Sequence, residues 1–309
     1  MENSSTIIEY SKNIQFLLCT AHSSGKHWAF LSAINFFFSI TAIFGNTLIL
    51  IALHKESSLH PPSKLLYRCL AITDLLAGLI SEPSLAVYHA LLAKEKQLTN
   101  LCFYFATISA VSFTTLSGVS LLTMTTLSAD RLLALLLGLR YRHIVTLTRV
   151  RALVTLYWIL SLGFALMMIW EFTLAKIYSY TLIFICIFLS LFCYLKILLT
   201  LRRNQSQPQQ RHGEPSARGI PFNIARYRKT VTAAISVEVT LIVCYLPYSI
   251  VIAIITIHGS SPFLDVMWES AAFIVCLNSS FNPVLYCWKI KEVKQEVKNT
   301  IRQLLCLSN

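Results

Sequence analysis

The sequence predicts an all-α protein: an integral membrane bundle of seven transmembrane helices followed by a short interfacial C-terminal helix. Seven long apolar stretches run along the chain, at about 28–53, 65–92, 101–137, 150–174, 177–201, 229–257 and 266–288. At helical rise each supplies the roughly 20 residues that a bilayer crossing needs. Only 13% of the 309 residues are charged and 55% are hydrophobic, about half the charge of an ordinary soluble domain. No segment alternates with period two, the pattern by which a membrane barrel turns apolar residues outward.

Taken in order, residues 1–27 are mostly polar and lack a basic start, an apolar run and a small-residue cleavage site. They are expected to form an extracellular N-terminal segment, with the first span acting as insertion signal. Residues 28–288 form the seven-span domain. Within it RRNQSQPQQRHGEPSARGIP (202–221) is polar and rich in Pro and Gln, the composition of a flexible third cytoplasmic loop. Residues 289–309 form an amphipathic cytoplasmic helix and tail. There Ile290, Val293, Val297, Ile301 and Leu304 recur every three or four residues, flanked by Lys291, Lys294, Lys298 and Arg302. Such a helix lies in the interface rather than crossing it. Cys306 follows it as a candidate palmitoylation site, with an unmodified terminal cysteine the equal alternative.

Basic residues set the orientation. Lys12, Lys26, Lys94, Lys96 and Lys176 are five of the 26 Lys and Arg; the other 21 lie at or near the opposite face, most of them in clusters around Arg140–Arg151, Arg202–Lys229 and Lys289–Arg302. The N-terminus is therefore expected outside and the C-terminus in the cytoplasm, as in a multi-pass protein of the plasma membrane. The net charge of +12 faces the anionic inner leaflet and is not a nucleic-acid footprint. Asn3-Ser4-Ser5 is a glycosylation sequon on the outer side. The sequons at Asn204 and Asn278 fall in the cytoplasm and the membrane and are discounted.

Polar groups at membrane depth are costly and mark function. Asn46, Asp74, Ser120, Asn278 and Asn282 fall in spans one, two, three and seven, which points to one polar network facing the bundle interior. Pro247 and Pro283 each stand inside a span, where proline removes a backbone bond and bends the helix. A static kink is the simple reading and a hinge the other. Asp130 and Arg131 fall about 45 Å along the third span at helical rise, which places them at its inner end. There Arg131 can neutralise against Asp130 and reach water.

Together these residues resemble the rhodopsin-like family of G protein-coupled receptors over essentially the whole chain. The resemblance rests on an ordered set: GNTLIL with Asn46, LAITD with Asp74, SADRL with Asp130 and Arg131, Trp158 in span four, Tyr194 in span five, CYLP with Tyr245 and Pro247, and NPVLY with Asn282, Pro283 and Tyr286. It implies a receptor, not an enzyme, that converts an extracellular ligand into heterotrimeric G protein activation by outward movement of helix six. Arg131 would be the coupling residue and Asp130 its resting partner, with Tyr194 and Tyr286 holding the open state. Asp74, Ser120, Asn278 and Asn282 would line a pocket for an allosteric sodium ion, the one cofactor expected. A transporter or channel is the rival class; it would show internal repeats, broken helices or a chain of carboxylates.

This chain departs from the family pattern in places. Leu132 replaces the motif tyrosine, Tyr245 the usual tryptophan and Cys186 the span-five proline. No acid lies near Arg226–Lys229 to bridge Arg131, which implies a loosely held resting state and detectable basal signalling. The family's disulfide runs to the second outer loop, but that loop has no cysteine here and Ala106 stands at the usual span-three position. Cys19 and Cys102, which face outside, are offered as a bridge instead; the other seven cysteines are expected reduced and match no metal site. The short second outer loop, the missing proline and LRYRHIVTLTRV are similar to the branch of melanocortin, cannabinoid, lysolipid and adenosine receptors. Ala106 and Ala110 stand where melanocortin receptors carry acids.

By the same resemblance Phe113 occupies the place of the amine-binding aspartate, which argues against a biogenic amine. Residues 266–288 hold no lysine for retinal. Phe113, Ser117, Tyr245, Tyr248, Ile252 and Phe273 would make an apolar, aromatic pocket with hydroxyl handles for a small molecule, lipid or peptide. Glu82, Asp265 and Glu269 either add negative potential near the mouth or are solvated loop acids.

Overall fold

The computed structural model describes Cys19 and residues 25–56, 59–94, 99–169, 171–205, 224–289 and 291–304. Asn3, residues 206–221 of the third inner loop and Cys306 lie outside the described residues. Eight long helices follow one another: α1 (Gly25–Lys55), α2 (Pro61–Ala93), α3 (Thr99–Leu137), α4 (Leu147–Met167), α5 (Phe172–Gln205), α6 (Ile224–His258), α7 (Pro262–Lys289) and α8 (Lys291–Leu304). No strand occurs among the described residues. Six of the helices are long and apolar enough to cross a bilayer. The further one, α7, has the length at 28 residues but carries Asp265, Glu269, Asn278 and Asn282. A chain surrounded by hydrocarbon must satisfy its backbone internally, and helices do so within one segment.

The helices turn inside out relative to a soluble bundle. On α1 the buried positions Asn35, Ser39, Ala42, Asn46 and Ile49, spaced four, three, four and three residues apart, form the middle of a stripe that Trp28 and Leu31 begin and Ala52 and Leu53 end. Phe30, Phe36, Phe37 and Phe44 of the same helix are exposed and face lipid. Small and polar residues at the interface let helices approach closely.

Two borders differ from the sequence expectation. Arg202–Gln205 continue α5 rather than open the flexible loop, with Arg202 and Arg203 exposed in its last turn, where basic residues complement the helix dipole. The fourth span ends at Met167, not at residue 174. Residues 168–171 separate α4 from α5, and Met168 and Ile169 carry the apolar run past the end of α4, so composition does not mark that end. The terminal helix α8 is interfacial, as its stripe predicts: Val293 is buried while Lys294, Lys298 and Arg302 are exposed. Lys55 Nζ of α1 donates to Thr300 Oγ1 (3.4 Å) and Gln303 Oε1 (3.3 Å) of α8.

Helix α2 contains one π turn, Ala77–Ser81, directly after Asp74. Its register shift decides what faces inward. In a plain α-helix Glu82, eight residues beyond Asp74, would point about 80° away. The π turn absorbs one extra residue and brings Glu82, and then His89, onto the same inner face. Gly78 permits the contact that fixes this turn. Ser39 Oγ donates to its carbonyl (2.7 Å), and a Cβ at residue 78 would sit 2.9 Å from the Ser39 backbone oxygen.

Gly78→Leu should therefore force α1 off α2. The expected loss is about 1–3 kcal/mol, the ordinary cost of overpacking, read as a lower thermal unfolding midpoint of the purified protein; an unchanged midpoint would contradict the close approach.

Candidate functional site

Two polar sites and one aromatic cavity stack along the bundle axis. The middle site is built on Asp74, which is 1% exposed. Asn282 Nδ2 of α7 donates to Asp74 Oδ2 at 2.8 Å. Asn46 Nδ2 of α1 donates to the carbonyls of Ala42 (2.9 Å) and Ser279 (3.0 Å), which anchors α7 beside Pro283. Asn278 and Ser120 complete the ring. They line, with Asp74, Ser117, Tyr245 and Ser279, a cavity of about 20 Å³, enough for one water-sized occupant. Asn278 Oδ1 and Asn282 Oδ1 are buried acceptors with no donor among the described residues. One carboxylate, surplus oxygen acceptors and a space of this size suit a small, hard monovalent cation. All four residues expected of a sodium pocket thus come together.

The inner site answers how an acid and a base coexist at the end of α3. Asp130 is 3% exposed and accepts from Ser63 Oγ (2.8 Å) and Tyr141 OH (2.5 Å). Arg131 Nη2 instead donates to Tyr67 OH of α2 (2.9 Å), with the guanidinium 5.8 Å from the centre of the Tyr67 ring. The expected Asp130–Arg131 pairing is corrected here: no salt bridge joins the two among the described residues, and Arg131 bonds Tyr67 instead. Successive helical residues point to different sides, so Asp130 turns toward the inner loop and Arg131 toward α2. The loop then delivers Tyr141. Gly138 takes a left-handed φ of 51°, the chain makes a single helical turn at Tyr141–Ile144, and α4 starts after Thr146, whose side chain accepts from Arg149 N (3.5 Å). Leu132, in the place of a tyrosine, packs on Cys193 and Ile197 of α5. Tyr194 is half-buried beside them. Tyr286 lies in α7, with its side chain outside the described part.

The outer cavity, about 40 Å³, lies between α3, α4, α5 and α6 and is lined by Phe113, Ser117, Tyr245 and Tyr248, four of the six residues expected to hold a ligand. The other two are corrected. Ile252 is buried in the main core, and Phe273 packs on Phe38 (5.7 Å between ring centres) and the outer core. The sequence reading missed Gly118, Ser161, Phe164 and Tyr178 on the cavity wall. Helices four and five show no break in polarity there that would single them out.

A further polar column, between α1, α2 and α7, also went unread. His89 is fully buried; its Nδ1 lies 3.5 Å from Asn35 Nδ2 and its Nε2 3.2 Å from Glu269 Oε2. Trp28 stacks on its ring at 5.5 Å. Glu82 is no solvated loop acid. It is 0% exposed, and neither carboxylate oxygen has a partner among the described residues. The π turn explains its inward position. At the outer end Cys19 and Cys102 form a disulfide, Cα–Cα 6.1 Å, that joins the N-terminal segment to the top of α3. The six other described cysteines form no disulfide. No cluster of metal-ligating His, Cys, Asp and Glu occurs among the described residues.

The chain matches the family model described as 7 transmembrane receptor (rhodopsin family), over residues 45–176 and 169–286.

Digestion without reductant should release Cys19 and Cys102 as one cross-linked peptide pair; recovery of both as alkylatable thiols would refute the bridge. Glu82→Met should raise the unfolding midpoint, since it removes a buried polar group without a partner, a penalty of about 1–3 kcal/mol. A lowered midpoint would mean that Glu82 is satisfied in the folded protein.

Proposed function

The chain belongs to the rhodopsin family of seven-transmembrane receptors, and from that premise we propose that it couples an extracellular ligand to a heterotrimeric G protein. The ligand sits in the outer aromatic cavity and is neither a biogenic amine nor retinal. Its binding favours a packing in which the inner end of α6 moves outward and exposes Arg131. The N-terminus faces outside and the basic loops face the cytoplasm, in keeping with the asymmetry of Lys and Arg.

The observation that carries this reading is a shared wall. Phe113, Ser117, Tyr245 and Val275 line both the outer cavity and the Asp74 chamber. A ligand that displaces Tyr245 in the first necessarily reshapes the second. Tyr245 OH donates to the Ser117 carbonyl (3.4 Å), and Pro247 follows two residues later in α6. Proline leaves a carbonyl of the preceding turn without its helical donor, which makes the helix easiest to bend just below the ligand. On α7, Asn282 holds Asp74 and adjoins Pro283, so the same chamber touches both helices that carry an internal proline.

Asp74, Ser120, Asn278 and Asn282 would hold a sodium ion in the resting packing. A bound cation would supply positive charge that offsets a carboxylate far from water. A packing that drew Asp74, Ser120, Asn278 and Asn282 together would leave it no room, so ion and agonist would favour opposite packings, a population shift between two states. At the inner end the resting state is held by Tyr67 rather than by an acid. A neutral hydroxyl restrains a guanidinium less than a carboxylate does, consistent with signalling in the absence of ligand.

The test is nucleotide exchange in cells expressing each class of Gα with a dissociation sensor. Wild-type receptor should exceed vector for at least one class, and Arg131→Ala should abolish the difference. Tyr67→Phe removes one hydrogen bond to a charged group and should raise the ratio of active to resting receptor roughly tenfold at equal surface expression. No exchange on any Gα, together with solute flux through reconstituted liposomes, would overturn the receptor reading in favour of a transporter or channel.

A further inference from the structure

We propose that the outer cavity, which at about 40 Å³ seats only a head group in this packing and takes the rest of a ligand as its walls part, selects an uncharged, largely apolar molecule that sets one hydrogen-bonding group against Ser161. This rests on the reading that the cavity is the ligand site, and adds the chemistry of what enters it.

None of the lining residues is Asp, Glu, Lys, Arg or His. An ionised head group placed there would lose its hydration and meet no opposite charge, a penalty that binding does not recover. Phe113, Leu121, Ile183, Tyr245, Tyr248 and Val275 present apolar and aromatic surface instead. Three of the seven hydroxyls on the wall already donate within the protein. Ser117 Oγ donates to the Phe113 carbonyl (2.6 Å), Thr114 Oγ1 to Met168 Sδ (3.1 Å), and Tyr245 OH to the Ser117 carbonyl.

Ser161 differs. It lines the cavity, is 3% exposed, and its Oγ has no partner among the described residues. A buried hydroxyl without a partner is costly in lipid surroundings, and a ligand group that bonds to it recovers that cost. Gly118 opposite keeps the space open: a Cβ at residue 118 would lie 2.9 Å from Ser161 Oγ. The serine and the glycine form one polar notch in an apolar wall.

The depth of the notch fits a molecule that partitions into the bilayer. Ser161 lies six residues before the end of α4 and Tyr178 six after the start of α5, about 9 Å below the outer ends at helical rise. The Phe164 and Tyr178 rings stack with centres 3.3 Å apart and planes at 11°, bridging α4 and α5 beside the cavity. Around them Leu160, Leu166, Leu174 and Ile177 are lipid-exposed.

The experiment uses full-length protein in lipid nanodiscs and three probes of one chain length: 1-decanol, decylammonium and decanoate, at matched mole fraction in the bilayer. The readout is the thermal unfolding midpoint, which is independent of any G protein. Decanol is expected to raise the midpoint saturably, and the two ions are not. Ser161→Ala breaks no internal hydrogen bond and should fold as wild type. In it the half-saturating mole fraction of decanol should rise about threefold to tenfold, the loss of one hydrogen bond. Gly118→Leu fills the notch and should abolish the response. An equal or larger rise with decylammonium would place the ligand's head group against Asp74 or Glu82 and overturn the proposal. So would a decanol response that both variants leave intact, or no response to any probe. If decanol binds as expected but no Gα is activated, the coupling reading fails and this one stands.

Discussion

The structure depends on the scarcity of hydrogen-bond partners inside hydrocarbon. Within the bundle a polar side chain has only other side chains, freed carbonyls and small cavities to meet, and each unmet group carries a penalty that water would erase. This sorts the polar residues into two kinds. Ser32, Ser39 and Thr41 are consumed in tying helices together: Ser32 bonds the Ala86 carbonyl, Ser39 that of Gly78, and Thr41 the Ser280 hydroxyl. Glu82, Ser161, and the side-chain oxygens of Asn46, Asn278 and Asn282 are left with unused capacity among the described residues. The first kind sets the bundle's geometry. The second includes the groups that the proposed ligand and ion would meet.

That division also explains why the sites lie in a column. Asp74, Glu82 and His89 of α2 share one face only because the π turn resets the helical register after Leu76. Without it Glu82 would turn toward a neighbouring helix or lipid. The extra residue creates a polar face from the outer His89–Glu269 contact down to Asn282. The aromatic cavity touches this column through Phe113, Ser117, Tyr245 and Val275. A change at the outer face therefore reaches the Asp74 chamber through side chains in direct contact.

The helices and their order were legible in the sequence because hydrocarbon imposes length and apolarity directly. The Asp74 chamber was legible because its members are polar residues stranded in apolar runs, where no other explanation fits them. Other features were hidden for identifiable reasons. The inward turn of Glu82 depends on a local change of helical pitch that no apolar period records. Tyr67 looks like one more aromatic residue near a membrane surface, and its role depends on where α2 crosses α3. The wall at Ser161 and Gly118 depends on how closely α3 approaches α4, which two small residues permit but do not announce. The end of α4 was invisible because Met168 and Ile169 are as apolar in the turn as in the helix.

At the inner end a phenol takes the place of a charged partner. Asp130 spends its charge on Ser63 and Tyr141, which fixes the second inner loop to the end of α3. Arg131 is left to a tyrosine. A hydrogen bond to a charged group contributes about 1.5–3 kcal/mol, the size of the gap that separates the two packings of a switch whose minor state is measurably populated. In the proposed switch the restraint on Arg131 would be of the same order as the free energy a ligand supplies, and a weak bias at the outer cavity would tip it. Because Asp130 bonds Ser63 and Tyr141 and Arg131 bonds Tyr67, release of Arg131 would leave the loop held by Tyr141 in place. On that reading Arg131 would be freed without dismantling the surface around it.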